Sequence, residues 1–168
     1  MTAGQVVVAG LTVHDLGGHP EAPTLVLFHA NGDSGRCWPD AGRRWSADYR
    51  VLAPDLRGHG SSPRFTPGQL AEPGDVFVAD AVAILIALRR NGIPLGAIGH
   101  SLGGAALTAA CALEPGLVDA LVLIDPPWDT PVVLGRRTRI GEERRKEVLA
   151  YRHDPAAALE TLRSDEPD

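Results

Sequence analysis

Apolar residues fall in short runs along this chain, separated by stretches rich in glycine, proline and charge. Residues 25–29, 51–54, 97–99 and 121–124 are such runs. They are too short for free-standing helices, and their spacing reads as buried strands. Ahead of them, residues 5–9 and 11–15 read as two strands parted by Gly10, a hairpin-like start. Helical segments are expected near residues 35–45, 75–90 and 102–113. Strands alternating with helices predict an α/β fold, a mostly parallel sheet flanked by helices and covered on both faces.

Small residues dominate 103–110 (Gly103, Gly104, Ala105, Ala106, Ala109, Ala110), which lets that helix lie close to the sheet. Gly58, Gly60, Pro63 and Pro67 mark a long loop after the run that ends at Pro54. Pro126, Pro127 and Pro131 break regular structure, so the chain divides into a core over residues 1–130 and a helical, lid-like segment over 131–168. Within that segment two exposed helices are expected, at 139–152 and 154–163, the second capped by Asp154 with Pro155 in its first turn.

At 168 residues, with 44% apolar and 22% charged residues, the composition is that of one ordinary globular domain. A net charge of −5 argues against a nucleic-acid-binding face, which needs clustered, uncompensated Lys and Arg. The basic stretch from Arg136 to Arg152 is interleaved with Glu142, Glu143 and Glu147, and reads as a solvated helix face. Cys37 and Cys111 have neither metal-binding nor Cys-x-x-Cys neighbours, and no leader pattern opens the chain. A cytoplasmic setting is the expectation. Residues 76–88 are apolar except for Asp80 but shorter than the about 20 residues that cross a bilayer, so no membrane association is expected.

The chemistry concentrates at Gly99-His100-Ser101-Leu102-Gly103-Gly104, between an apolar run and the small-residue helix. A serine on a tight strand-to-helix turn needs neighbours without side chains at minus two and plus two. The Leu102 N–H, in the first turn of the helix, then aims where negative charge would develop on a substrate carbonyl. A phosphate cradle is the competing reading, but neither Gly-x-Gly-x-x-Gly nor a Lys-bearing phosphate loop is present.

Two further segments share the pattern: Thr24-Leu25-Val26-Leu27-Phe28-His29 running into Ala30-Asn31-Gly32, and Asp55-Leu56-Arg57-Gly58-His59-Gly60-Ser61 after the run 51–54. Together with the Ser101 turn, and in this order, they resemble the oxyanion loop, the Asp-x-Arg-Gly-x-Gly-x-Ser loop and the nucleophile elbow of the α/β-hydrolase superfamily. Alanine at 30 stands where the family usually has glycine. The resemblance covers about residues 6–125. It implies a serine hydrolase acting on an ester or related acyl substrate, a small molecule, through a covalent acyl-serine intermediate. Ser101 would be the nucleophile, and the Asn31 and Leu102 amides the oxyanion hole. No cofactor or metal is implied, because backbone amides carry the charge. The haloalkane dehalogenases and epoxide hydrolases of the fold place a carboxylate at the elbow, where this chain has Ser101.

The family order is nucleophile, acid, histidine. His153 alone among the histidines follows Ser101, and it sits on a charged helix rather than after an apolar strand. Asp125 and Asp129 occupy a place where some hydrolases of this fold carry their acid; Asp125 reads equally as the end of a strand. His29 is expected to brace the oxyanion loop, His59 and Asp55 to belong to the glycine-rich loop, His100 to pack, and His14 and His19 to face solvent. No apolar run matching a further strand follows 121–124. The resemblance therefore leaves a second expectation open, a catalytically incomplete hydrolase-like domain serving binding or assembly. An apolar strand left at the sheet edge would invite a homodimer or a partner chain.

Overall fold

A computed structural model describes residues 4–127 of the chain. Six strands form one sheet: β1 (Gly4–Val8), β2 (Leu11–Gly17), β3 (Thr24–Phe28), β4 (Arg50–Pro54), β5 (Leu95–His100) and β6 (Ala120–Ile124), in the spatial order β1-β2-β4-β3-β5-β6. The first two pairings are antiparallel and the rest parallel. The opening hairpin closes on Ala9 and Gly10, both at positive φ (49° and 79°), the backbone of a two-residue turn that matches strand twist.

Among the described residues three α-helices cover the sheet: α1 (Pro39–Trp45), α2 (Pro73–Leu88) and α3 (Leu102–Leu113). The expected helix over 35–45 is two pieces. Ser34 caps a 3-10 turn over Gly35–Cys37, and Pro39, which has no N–H to continue the ladder, starts α1 afresh. The period of two along each parallel strand sorts side chains between two cores. Val26, Phe28, Leu95 and Ala97 pack with Phe77, Ile84 and Leu85 of α2 and Leu107 of α3. Leu27, Val51, Ala53 and Ile98 pack on the other face with Ala41 of α1, against Trp38 and Trp45. Phe28 is fully buried; a burial of this kind stabilises a fold by about 1.5–3 kcal/mol.

Connections on opposite faces have a functional consequence. The chain leaves β3 toward α1 and leaves the adjacent β5 toward α3, so the two loops diverge at the carboxyl ends of neighbouring strands. Such a divergence opens the crevice in which α/β sheets place their ligands. At the edge beyond β5, Leu121 of β6 packs on the α2–α3 core, while Val122 and Ile124 are 51% and 42% exposed on the opposite side. The expected helical segment over 131–168 lies outside the described residues.

Candidate active site

The loop after β3 is a tight turn. The Asp33 N–H donates to the Ala30 carbonyl at 3.2 Å, with Asn31 and Gly32 at the corner and Gly32 at φ +81°, as a type II turn requires. His29, fully buried, donates from Nδ1 to the same Ala30 carbonyl at 2.7 Å and accepts the Leu56 N–H at Nε2 at 2.9 Å. A ring with one nitrogen on a carbonyl and the other on an amide is neutral with its proton on Nδ1. Burial, the largest influence, pushes the His29 pKa below its usual value and favours that same form. The brace expected of His29 is therefore present, and it has a direction. Two donors hold the Ala30 oxygen, and in a trans peptide the Asn31 N–H points the opposite way.

The loop after β5 is strained where chemistry would use it. Ser101 has φ +48° and ψ −113°, outside the regions open to most side chains. Its N–H donates to the Ile124 carbonyl of β6 at 2.9 Å, and its carbonyl accepts the Ala105 N–H at 2.9 Å. The flanking glycines are sterically required. A Cβ on Gly99 would lie 2.7 Å from the Gly104 backbone, and one on Gly103 2.6 Å from the Phe28 carbonyl oxygen. That contact and a 3.2 Å hydrogen bond from the Gly103 N–H to the His29 carbonyl draw the start of α3 against the end of β3. The elements that carry Ser101, Leu102 and Asn31 are so brought together. Neither the Asn31 nor the Leu102 amide meets an acceptor among the described residues.

A third loop, after β4, ties the first two down. Asp55 is fully buried, and its carboxylate accepts the Gly35 N–H (2.7 Å), the Ser61 N–H (2.7 Å) and His14 Nε2–H (2.9 Å). Burial alone would raise its pKa; the Ser61 and Gly35 amides and His14 outweigh it and hold the carboxyl below the usual range. Arg57 donates from Nε and Nη2 to both oxygens of Asp80 on α2, at 2.8 and 2.9 Å. His59 lies beside the Ala30–Asp33 turn, with Nδ1 3.0 Å from the Arg57 carbonyl and Nε2 3.3 Å from Asn31 Oδ1.

One expectation is corrected here. His14 does not face solvent; it is 5% exposed and bound to Asp55. It shares a strand face with Leu16, which packs under α1, and the alternation along β2 carries it inward. His19 is exposed as expected. Asp125 is exposed at φ +44°, one residue past the His100–Ile124 pair and so beside Ser101 at the carboxyl ends of the strands. His153 and Asp129 lie outside the described residues. No described imidazole hydrogen-bonds to Ser101. Among the described residues there is no cluster of His, Cys, Asp and Glu that could hold a metal, and no helix is long and apolar enough to cross a membrane.

Comparison with known proteins agrees with this architecture. The family model described as "Alpha/beta hydrolase family" matches residues 25–167. The chain is 37% identical over 108 residues to lipase LipV of Mycobacterium tuberculosis, covering 64% of this chain and 39% of that protein. It is 34% identical over 113 residues to RutD of Pseudomonas syringae pv. syringae, named as a carbamate hydrolase, covering 67% and 42%. Among solved structures, potato epoxide hydrolase I superposes with a TM-score of 0.62 at 28% identity, over 73% of this chain and 39% of that one. The chain thus spans about two fifths of the length of the curated relatives it matches.

Proposed function

The chain belongs to the alpha/beta hydrolase family, and from that premise we propose that it is a serine hydrolase acting on an ester or related acyl substrate. Ser101 Oγ attacks the substrate carbonyl carbon, and its proton passes to an imidazole. The carbonyl oxygen becomes an oxyanion between the Asn31 and Leu102 amides, and collapse of the intermediate expels the alcohol and leaves an acyl-serine. Water then releases the acid by the reverse sequence. What carries this reading is the strained backbone of Ser101 beside two amides without described acceptors, at the point where the sheet's connections diverge. Names such as lipase and carbamate hydrolase among the relatives favour attack at a carbonyl carbon. His153 is the candidate base and Asp125 the candidate acid.

A second reading rests on a specific observation. Among the described residues no imidazole hydrogen-bonds to Ser101. On that reading the domain is catalytically incomplete and serves binding or assembly. Fluorophosphonate labelling with intact-mass counting separates the two. A serine hydrolase gives one adduct in the wild type and none in Ser101→Ala. If His153 is the base, His153→Ala loses the adduct as well. A folded wild type without an adduct establishes the incomplete domain.

A further inference from the structure

β1 is an edge strand of five residues without the charge, proline or bulge that commonly keep edges from pairing. Among the described residues it is bonded on one side only, to β2, in unbroken register. Residues 2–13 carry neither a charge nor a proline. Val6 and Val7 are 44% and 75% exposed, one on each face of the sheet because successive side chains alternate.

The hairpin decides which backbone groups face the free side. Val8 and Leu11 flank the two-residue turn as a hydrogen-bonded pair, and by alternation Val6 with Val13 and Gly4 with Asp15 pair in the same way. The N–H and C=O groups of Gln5 and Val7 are thereby left pointing away from β2. A second β1 laid antiparallel about Val6 matches them. Gln5 of each copy exchanges two bonds with Val7 of the other, Val6 meets Val6 in a close, non-hydrogen-bonded pair, and Gly4 lies against Val8. A two-fold axis through Val6 relates the copies, so the strand is complementary to itself. Charge favours the same edge. β1 brings no like charges together, whereas pairing β6 about its central Val122 would set Asp119 of one copy against Asp125 of the other.

We propose that β1 is a homodimerisation edge, which joins two copies of the chain into one continuous sheet through an antiparallel β1–β1 pair centred on Val6. At about 3.4 Å per residue the contact is about 17 Å long, too small to reach the about 1,000 Å² that a stable interface clears. The pair is therefore weak and reversible. It stands independently of the proposed function.

The full chain is followed by analytical sedimentation and amide hydrogen exchange over about a hundredfold range of concentration. The weight-average mass is expected to rise toward twice that of one chain, and protection of the Gln5 and Val7 amides to rise with it. Val7→Lys, at a position exposed enough to spare the fold, is expected to hold the mass of one chain throughout. Register is read by cross-linking in a background that carries Cys37→Ser and Cys111→Ser, the two native cysteines. Val6→Cys places its thiols in the close pair, within disulfide reach, and is expected to give a covalent dimer on oxidation. Val7→Cys faces Gln5 of the other copy, leaves its thiols on a diagonal and is expected to give none. A mass that does not change with concentration overturns the proposal, as do association that survives Val7→Lys and protection that rises at β6 but not at β1. Gln5 and Val7 amides protected equally at every concentration also overturn it and assign the edge to another part of the same chain. Cross-linking through Val7 in place of Val6 overturns the pairing about Val6.

Discussion

Asp55 holds three donors from three separate parts of the chain, and its chemistry makes stability depend on acid in a defined direction. Its carboxyl titrates below the usual range in the fold because the Ser61 and Gly35 amides and His14 outweigh burial. Its contribution is thus complete above the ordinary carboxylate value of about 3.9 and is lost as pH falls through the depressed folded value. The thermal stability of the wild type is expected to fall below about pH 4. Asp55→Asn, which turns an NH2 toward one of the three donors, should cost about 2–4 kcal/mol at neutral pH and flatten the acid limb. Glycine at 60 belongs to the same arrangement, since a Cβ there would lie within the Asp55 carboxylate at 2.2 Å. At this scale the sequence is legible where chemistry restricts the residue type: the elbow glycines, Ser101 and Asp55 stand out by their spacing. His14 does not, because nothing local distinguishes a buried histidine from an exposed one. Its partner lies 41 positions along the chain and is brought near only by the pairing of β2 with β4.

Between elements, the decisive contacts are the approach of α3 to β3 and the tether from α2 to the glycine-rich loop. Gly103→Ala would press a methyl group against the Phe28 and His29 carbonyls and push α3 from β3. It is expected to cost about 1–3 kcal/mol in denaturant unfolding. In the same variant, labelling of Ser101 should slow, because the Leu102 and Asn31 amides separate. The Arg57–Asp80 pair is mostly buried, its side chains 16% and 12% exposed, and its two-bond geometry favours a real coupling over a screened surface contact. A double-mutant cycle of Arg57→Ala and Asp80→Ala should give about 1–3 kcal/mol, with Arg57→Lys recovering only part. Asp80 interrupts an apolar helical stretch, which marks it in the sequence as a residue with a partner but leaves that partner unnamed. The break between the 3-10 turn and α1 has its sequence signal in Pro39, which has no N–H to continue the ladder.

For the whole molecule, a parallel sheet with diverging connections ranks its strands by how many neighbours each has. β3 and β5 are paired on both sides and buried between helices, whereas β1 and β6 are the edges among the described residues. Native-state hydrogen exchange should therefore find the slowest amides in β3 and β5 and the fastest strand amides in β1 and in the outward-facing positions of β6. The alternation of strand and helix was enough to read this architecture from the chain, because each apolar run is too short to be anything else. The side of the sheet that each helix covers was not, since it depends on the order in which the strands assemble. The same exchange experiment tests association through β6, whose Val122 and Ile124 stand exposed beside an edge that is unpaired among the described residues. Copies pairing there would satisfy the outward amides, so their protection should rise with protein concentration while that of β3 and β5 stays constant. Protection independent of concentration would mean that the edge does not join two copies of the chain.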